Sequence, residues 1–227
     1  MPGRGHTRRV REVAAGVWQL STRMPNAINC YLAGEVLIDA GGRRMASRIV
    51  RQLQGRRVAA VSLTHVHPDH QGGADAICND LGVPLYCPAG EVERMEGHEP
   101  MPVSTWYSKI ADRLFTGPPH PVAKALREGD EVGGFTVYST PGHSVDHVVY
   151  FRESDGVAII GDVLDALNIF TGLPGLYRPP DVVNEKPELV NDAIRKLAEL
   201  RPRVVCFGHG SVLTDPDRLQ TFAASLG

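Results

Sequence analysis

The sequence predicts an α/β or α+β fold in which helices cover the faces of β-sheets. Predicted strands and helices alternate along the 227 residues, which is typical of layered folds. The segment 58–65, "VAAVSLTH", is almost entirely apolar, as expected for a strand in a sheet that is covered on both faces. The segment 187–200 has apolar residues at the spacing of a helix that buries one face. These two patterns place helices against the sheets.

The first part of the chain is predicted to form strands and two helices. We expect residues 1–9 to be a flexible tail and residues 10–227 to form a single domain. Both helices end at a glycine, Gly55 and Gly82, a residue that suits the left-handed turn after a helix. The predicted strands here are 17–22, 28–33, 35–41, 58–65 and 83–88, and the predicted helices are 43–55 and 73–82.

The second part of the chain returns to strands after an irregular region. Residues 91–130 mix helical pieces with prolines, so we expect a helical and loop insertion there. Residues 163–186 are rich in glycine and proline, and a loop of that length in a compact domain is often an active-site loop. The remaining predicted strands are 135–142, 147–153, 156–162 and 203–210, and the remaining helices are 187–200 and 215–227.

The composition indicates what kind of partner the protein has. A formal net charge of -2 gives no electrostatic reason to bind nucleic acid or an anionic membrane. No apolar run approaches the roughly 20 residues needed to cross a bilayer, and the first residues lack the apolar stretch of a secretory signal. The 4 cysteines are scattered without a CxxC pair, as in reduced chains. We therefore expect a cytoplasmic protein that acts on a small molecule.

Four side chains that bind metals well stand at and directly after the end of the predicted strand 58–65. The segment 62–73, "SLTHVHPDHQGG", contains His65, His67, Asp69 and His70. In an extended chain His65 and His67 lie on one face, and the two later residues can reach a second ion as the chain turns. By contrast, we expect three isolated histidines to be ordinary surface or core residues, namely His6, His98 and His120.

Three more residues of this kind stand at the ends of predicted strands. His143, Asp162 and His209 each follow an apolar run and a glycine, which lets the backbone turn tightly there. Four strand ends can therefore converge on one point. Imidazole and carboxylate groups bind Zn²⁺, Mn²⁺ or Fe²⁺. The seven candidate side chains are enough for two ions with three ligands each and one further ligand that bridges them. The pattern predicts two metal ions per chain that share a hydroxide.

These motifs resemble those of the metallo-β-lactamase-fold hydrolase superfamily. The resemblance rests on "THVHPDHQGG", "TPGHSVDH", "GD" and "GHG", and it extends over nearly the whole chain. It implies an αββα sandwich, an α+β fold of two mixed sheets packed face to face with helices on both outer faces. The implied ligands are His65, His67 and His143 for the first ion, Asp69, His70 and His209 for the second, and Asp162 as the bridge.

The resemblance also implies roles around the ions. Asp39 matches a position that supports the metal-binding loop from behind, and general metal-site chemistry calls for such partners. We expect His147 to lie just outside the ligand set. Asp69 would hold a proton of the attacking hydroxide and pass it to the leaving group. Zinc is the expected metal, and manganese or iron also fits these ligands.

The expected activity is hydrolysis of a small ester, thioester or lactone by a metal-bridging hydroxide. One alternative is an oxidoreductase similar to the single-iron persulfide dioxygenases, which need only the first histidine trio and an aspartate. A second alternative is a non-catalytic binding protein on the same scaffold. Hydrolysis of β-lactams is expected only as a side activity, because Asp162 stands where dedicated β-lactamases of this fold commonly have Cys or Ser.

Aromatic residues of the insertion and of the long loop are candidates for the walls of the substrate pocket. Arg178 is a candidate partner for a carboxylate of the substrate. The pocket candidates are Met101, Trp106, Tyr107, Phe170, Leu173, Leu176, Tyr177 and Arg178.

Overall fold

The computed structural model describes residues 10–20, 26–101 and 106–226, with the backbone alone for Trp106 and Tyr107. The tail predicted at 1–9 lies outside these residues. The strands are β1 Arg11–Ala14, β2 Val17–Leu20, β3 Cys30–Ala33, β4 Val36–Ile38, β5 Ala60–Ser62, β6 Leu85–Pro88, β7 Val122–Leu126, β8 Glu131–Val132, β9 Phe135–Ser139, β10 Val148–Arg152, β11 Val157–Gly161, β12 Asp165–Leu167, β13 Pro174–Tyr177 and β14 Val204–Phe207. The α-helices are α1 Ala46–Leu53, α2 Pro68–Gln71, α3 Ala74–Leu81, α4 Val92–Met95, α5 Trp106–Phe115, α6 Val190–Glu199 and α7 Pro216–Ser225.

Two mixed sheets form the centre of the molecule. The first sheet has 7 strands in the order β1-β2-β3-β4-β5-β6-β7, antiparallel up to β4 and parallel from β4 to β7. The second has 5 strands in the order β14-β11-β10-β9-β8. Its β11 and β14 are parallel and its other pairs are antiparallel. Each sheet therefore combines both kinds of pairing, as the resemblance implies.

The sheets pack face to face because successive side chains of a strand point to opposite faces of the sheet, and both faces are apolar here. In β3, Tyr31 and Ala33 join the core between the sheets, whereas Cys30 and Leu32 face the helices on the outer side. In β11, Val157 and Ile159 belong to the core between the sheets, and Ala158 and Ile160 face outward. Each fully buried Leu or Ile contributes about 1.5–3 kcal/mol. The apolar patterning thus produces a sandwich with a core between the sheets and one on each outer face.

Helices cover both outer faces. On the first sheet, α1 and α3 bury residues such as Ile49 and Ile77, and on the second sheet α6 and α7 bury residues such as Ile194 and Leu219. The helix α3 ends at Gly82, which has a φ of +64°. The molecule is an αββα sandwich, and the predicted fold class is confirmed. Among the described residues, no helix is long and apolar enough to span a bilayer.

The structure differs from the sequence prediction in several segments, among them the short strands β1 and β8, which the sequence did not predict. The strand predicted at 58–65 pairs over Ala60–Ser62 alone, because the residues that follow leave the sheet to form the site described below. The region 91–130 contains α4, α5 and the strand β7, which extends the parallel part of the first sheet. The edge strand β7, "VAKAL", lacks the alternation of apolar and polar residues that predicts a strand, because its two exposed positions are the alanines Ala123 and Ala125. The loop 163–186 contains the antiparallel pair β12 and β13.

Candidate metal centre

The strand ends of both sheets meet at one place. In the second sheet, β9 and β11 are both antiparallel to β10, and β14 is parallel to β11, so these three strands end on the same edge. His143, Asp162 and His209 follow those ends. The segment 65–70 follows β5 of the first sheet. The convergence of four strand ends that the sequence predicts is therefore present.

Three histidines form the first cluster. His65, His67 and His143 each present a ring nitrogen, and these nitrogens all lie within 4.8 Å of one another. Nδ1 of His67 and Nε2 of His143 are 2.9 Å apart. The ring centroids of His65 and His67 are 4.6 Å apart. This spacing suits three nitrogens around a single ion.

A second cluster lies beside the first. Asp69, His70 and His209 again place one ligand atom each within 4.8 Å of one another. Oδ2 of Asp69 is 3.3 Å from Nε2 of His209 and 4.0 Å from Nε2 of His70. The short helix α2 brings Asp69 and His70 here, because its Pro68 starts a helical turn directly after His67.

Asp162 lies between the two clusters. Its Oδ2 is 3.5 Å from Nε2 of His143 on the first side. On the second side, the same oxygen is 3.3 Å from Nε2 of His70 and 3.1 Å from Nε2 of His209. His65, His70 and Asp162 also form a ligand group of their own. One carboxylate thus reaches ligands of both clusters, as a bridging ligand must.

The pattern of unpaired atoms fits bound cations. Nε2 of His65, Nε2 of His70 and Oδ1 of Asp162 are buried without a hydrogen-bond partner among the described residues. Leaving a buried polar atom unpaired costs about 1–3 kcal/mol. Three such atoms together, all of types that bind divalent metals, are explained by ions that would satisfy them. The donor set therefore fits the metals that the sequence predicts.

Burial keeps two of the imidazoles neutral. It holds the pKa of His65 well below its ordinary value, helped by the neighbouring histidines. It likewise lowers the pKa of His143 to about 4, and the nearby His67 adds to the effect. A neutral imidazole has one nitrogen lone pair available for a metal. These two side chains are therefore in the protonation state that ligation requires.

Charge pairing dominates at the second cluster. Burial alone would lower the pKa of His70 and His209, but the negative charge of Asp162 raises both. Burial alone would also raise the pKa of Asp69 and Asp162, yet the same two imidazoles hold both below the usual range. The carboxylates are therefore ionised, and divalent cations can take the place of the protons on the imidazoles.

Asp39 supports the loop from behind. Its Oδ1 accepts hydrogen bonds from the backbone N of Thr64 (2.8 Å) and from the Thr64 hydroxyl (3.1 Å). Its Oδ2 lies 2.9 Å from Nδ1 of His70, which fixes the proton on that nitrogen and turns Nε2 inward. Asp39 has a φ of +61° at the end of β4, a conformation that aspartate tolerates better than most residues. Asp39 therefore contacts both the backbone of the loop and one of the candidate ligands.

His147 contacts the site through the backbone. Its Nδ1 is 3.0 Å from the Thr140 hydroxyl, and its Nε2 accepts a hydrogen bond from the backbone N of Asp162 at 3.2 Å. Both ring nitrogens are thus used within the protein, and burial keeps the pKa of the ring well below its ordinary value. His147 holds the end of β11 in place and does not belong to any of the ligand groups.

Sequence reasoning missed a group of polar residues behind the first cluster. Glu91, which is 1% exposed, accepts hydrogen bonds from the backbone N of Val66 at 2.5 Å and from the Ser144 hydroxyl. It thereby joins the two loops that supply the first cluster. Glu91 stands shortly after β6, so the rule of polar residues after strands applies to it as well. Arg94, on α4, and Asn184 and Glu185, in the long loop, offer no such signal because they are far apart in the sequence.

A further buried carboxylate, Asp165, lies close to the second cluster. It is 3% exposed, and its Oδ1 has no hydrogen-bond partner among the described residues. Burial and the negative charge of Asp162 raise its pKa well above the ordinary value. Asp165 pairs with Tyr177 across β12 and β13, so the hairpin of the long loop reaches the edge of the site.

The comparison with family models identifies the fold family. Residues 23–209 match the model of the metallo-beta-lactamase superfamily. The chain belongs to this superfamily.

Relatives within the metallo-β-lactamase superfamily include hydrolases. The probable metallo-hydrolase YflN of Bacillus subtilis (strain 168) is 29% identical, over 89% of this chain and 87% of the relative. A hydroxyacylglutathione hydrolase of Bdellovibrio bacteriovorus is 28% identical, over 58% of this chain and 44% of the relative. This chain therefore spans 87% of the length of YflN but only 44% of the length of the hydroxyacylglutathione hydrolase.

Solved structures of the metallo-β-lactamase superfamily agree with the architecture. The B3 metallo-beta-lactamase BLEG-1 is 28% identical with a TM-score of 0.66, covering 87% of this chain and 93% of that one. The protein TTHA1623, solved in a di-iron-bound form, is 30% identical with a TM-score of 0.62, covering 85% of this chain and 92% of that one. Both likenesses extend over most of each molecule.

The residues predicted for the substrate pocket fall in different surroundings. Trp106 and Tyr107 begin α5, and their side chains lie outside the described part of the structure. Phe170 is 58% exposed near the tip of the β12–β13 hairpin, and Tyr177 is half-buried on β13. Arg178 donates hydrogen bonds to Asn191, Asp181 and the carbonyl of Pro187. Its guanidinium thus ties the long loop together instead of standing free for a substrate carboxylate.

Proposed function

We propose that this member of the superfamily is a dinuclear metal-dependent hydrolase that acts on a small ester, thioester or lactone. The observation that carries the proposal is the position of Asp162, whose Oδ2 is 3.5 Å from His143 in the first cluster and 3.1 Å from His209 in the second. A carboxylate that reaches ligands of both clusters has the position that a ligand shared by two ions needs. Zinc is the proposed metal, and manganese or iron suits the same ligands.

The protein's own residues supply orientation and proton transfer. When bound, two divalent cations lower the pKa of bound water toward about 7 and polarise the substrate carbonyl. Asp69 differs from Asp162 in that its side chain is 24% exposed, so it faces the side from which water and substrate arrive. Its ionised carboxylate is suited to accept a proton from the attacking water and to deliver it to the leaving group.

The superfamily relatives support hydrolysis and suggest which substrates to test first. The hydroxyacylglutathione hydrolases are thioester hydrolases by name. Thioesters are therefore the first substrates to assay, followed by esters and lactones. The structural likeness to BLEG-1 adds a β-lactam as a side activity. The persulfide dioxygenase alternative needs the first trio and an aspartate alone, whereas the second cluster of Asp69, His70 and His209 supports two ions.

The proposed setting is the cytoplasm, with a small-molecule substrate and no nucleic-acid or membrane partner. In support, Cys30, Cys78, Cys87 and Cys206 are all free and buried, and unpaired thiols persist in reducing compartments. Burial raises the pKa of Cys78 and Cys206 to about 12. Thiols of this kind are structural residues rather than nucleophiles.

The test combines elemental analysis with substitution of the ligands. Purified protein is expected to hold two metal ions per chain and to lose hydrolysis when a chelator removes them. His67→Ala and Asp162→Ala should lose metal and hydrolysis together, by at least about 100-fold in kcat/KM, because each removes a direct ligand. His98→Ala is the matched control, since His98 is exposed and contacts Glu93. Full hydrolysis by a metal-free variant would end the proposal.

A further inference from the structure

Two adjacent residues of the long loop each contact a histidine of the first cluster. Oδ1 of Asn184 lies 2.9 Å from Nδ1 of His143, and Oε1 of Glu185 lies 3.2 Å from Nε2 of His67. The opposite ring nitrogens, Nε2 of His143 and Nδ1 of His67, are 2.9 Å from each other. The loop therefore contacts the outer nitrogens of the two rings, Nδ1 of His143 and Nε2 of His67. The inner nitrogens, Nε2 of His143 and Nδ1 of His67, face each other.

These contacts determine which ring nitrogen holds the proton. A carboxylate or amide oxygen only accepts hydrogen bonds, so the histidine nitrogen facing it must be the donor. The amide of Asn184 is itself oriented, because its Nδ2 donates to the carbonyl of Pro179 at 2.9 Å and leaves Oδ1 toward His143. A neutral imidazole with its proton on the outer nitrogen has its lone pair on the inner one. Both rings are thus set to ligate with the inner nitrogen.

Arg94 holds Glu185 in this position. Its Nη1 and Nη2 donate to the two carboxylate oxygens of Glu185 at 2.8 and 3.1 Å, the two-pronged geometry that gives Arg its specificity for carboxylates. The side chains are 8% and 12% exposed. Nη1 of Arg94 also lies 3.8 Å from Glu91, which joins the two loops of the first cluster. The orientation of His67 is therefore backed by a buried ion pair.

The backbone joins the same segments. The N–H of Glu185 donates to the carbonyl of His143 at 3.1 Å, and the N–H of Lys186 donates to the carbonyl of Gly142 at 2.9 Å. The loop that follows β13 and the loop that follows β9 thus form a short ladder. This ladder fixes the distance between Asn184 and the His143 ring, so the side-chain contact does not depend on a mobile segment.

We propose that Asn184 and Glu185, with Arg94 behind Glu185, are positioning residues that set the ring orientation and proton position of His143 and His67 for the first metal ion. The inference rests on the metal binding proposed above. The second cluster of Asp69, His70 and His209 receives its orientation elsewhere, from Asp39 and from the carbonyl of Ala27. Loss of the loop contacts should therefore weaken the first ion selectively.

The experiment measures the two zinc affinities of the full chain by competition with a chromophoric chelator, and assigns them by zinc-edge anomalous diffraction. Glu185→Leu and Asn184→Leu should each weaken the first site by about 10–100-fold and leave the second unchanged. Glu185→Gln keeps an oxygen acceptor for His67 and should restore most of the affinity. Glu188→Gln is the matched control, because it alters an exposed carboxylate a few residues along the same chain.

A measurement on the metal-free protein distinguishes a failure of this inference from a failure of the proposed function. In the metal-free protein, long-range proton–nitrogen NMR of the imidazoles should show a proton on Nε2 of His67 and on Nδ1 of His143, whichever of the two inner nitrogens donates across their 2.9 Å contact. Glu185→Leu should change the first of these and Asn184→Leu the second. If the wild-type chain binds no zinc, the proposed function fails. If zinc affinities and ring protonation stay unchanged in both leucine variants, or both sites weaken equally in a folded variant, the positioning inference is overturned.

Discussion

Asp162 depends on the glycines around it for its place between the two clusters. Gly161 precedes it with a φ of +50°, and a Cβ there would lie 2.6 Å from the Thr64 hydroxyl and 2.7 Å from Nε2 of His147. Gly208 lies opposite, where a Cβ would come within 2.0 Å of Oδ1 of Asp162. Glycine is therefore required at position 161 for both backbone conformation and close packing, and at position 208 for close packing alone.

Gly208→Ala tests the close approach at this residue. The added methyl group must displace the Asp162 carboxylate or the His70 ring, whose Cε1 would be 2.8 Å away. We expect the variant to lose most of its bound metal and about 1–3 kcal/mol of stability, measured by elemental analysis and urea unfolding.

Gly16→Ala is the control for that substitution. Gly16 has a φ of +67° and nothing within 4 Å of its Cβ position, so alanine there costs about 1 kcal/mol of backbone strain and no packing. It should lower stability without changing the metal content. Normal metal content in Gly208→Ala would show that the approach to Asp162 is not tight.

The strand ends that carry the candidate metal ligands could be predicted from the sequence, whereas the residues that contact those ligands from behind could not. His143, Asp162 and His209 each follow an apolar run and a glycine in the sequence. Both features are local, so the sequence alone reveals them. Glu185 and Arg94 meet across 91 positions of sequence, and no local pattern encodes such a contact. The edge strand β7 escaped prediction for a different reason: two of its five residues are exposed, and both are alanines, so its sequence does not alternate between apolar and polar residues.

Arg152, the last residue of β10, forms a partly exposed ion pair in the turn before β11 and also a hydrogen bond to the first sheet. Arg152 donates to both carboxylate oxygens of Asp155, at 2.9 and 2.7 Å, and also to the carbonyl of Ala15 in the turn after β1. The hydrogen bond from Arg152 lowers the pKa of Asp155 below its ordinary 3.8. A carboxyl with a depressed folded-state pKa stabilises the fold above the unfolded pKa, and that contribution is lost as the pH falls through the folded pKa.

Asp155→Asn should therefore cost stability at neutral pH and progressively less in acid. Because the side chain of Asp155 is 34% exposed, solvent screening limits the loss to about 0.3–1 kcal/mol at pH 7. Urea unfolding of chelator-treated protein at about pH 7 and pH 3.5 measures the difference between variant and wild type, which should shrink at the lower pH. Asp192→Asn, which breaks a pair whose carboxylate is 74% exposed, should have no measurable effect. An equal loss at both pH values would contradict the assignment.

At the scale of the whole molecule, the candidate metal centre joins the two sheets at one edge. Four of the ligand-type residues belong to the segment after β5 of the first sheet, and the other three follow β9, β11 and β14 of the second. The unfolded chain cannot hold these groups together, so ions bound at the centre stabilise the folded state through binding. The same ions relieve the buried unpaired atoms of His65, His70 and Asp162.

Removal of the metal should consequently lower the melting temperature of the whole domain. At a free zinc concentration of 100 times Kd, each ion contributes about 2.7 kcal/mol, which corresponds to about 5–10 °C for a domain of this size. Differential scanning calorimetry with and without chelator measures the shift, and readdition of zinc should reverse it. Asp162→Ala should already melt at the lower temperature and respond less to the chelator, because its carboxylate contacts ligands of both clusters. A wild-type melting temperature that chelator leaves unchanged would mean that no ion links the two sheets.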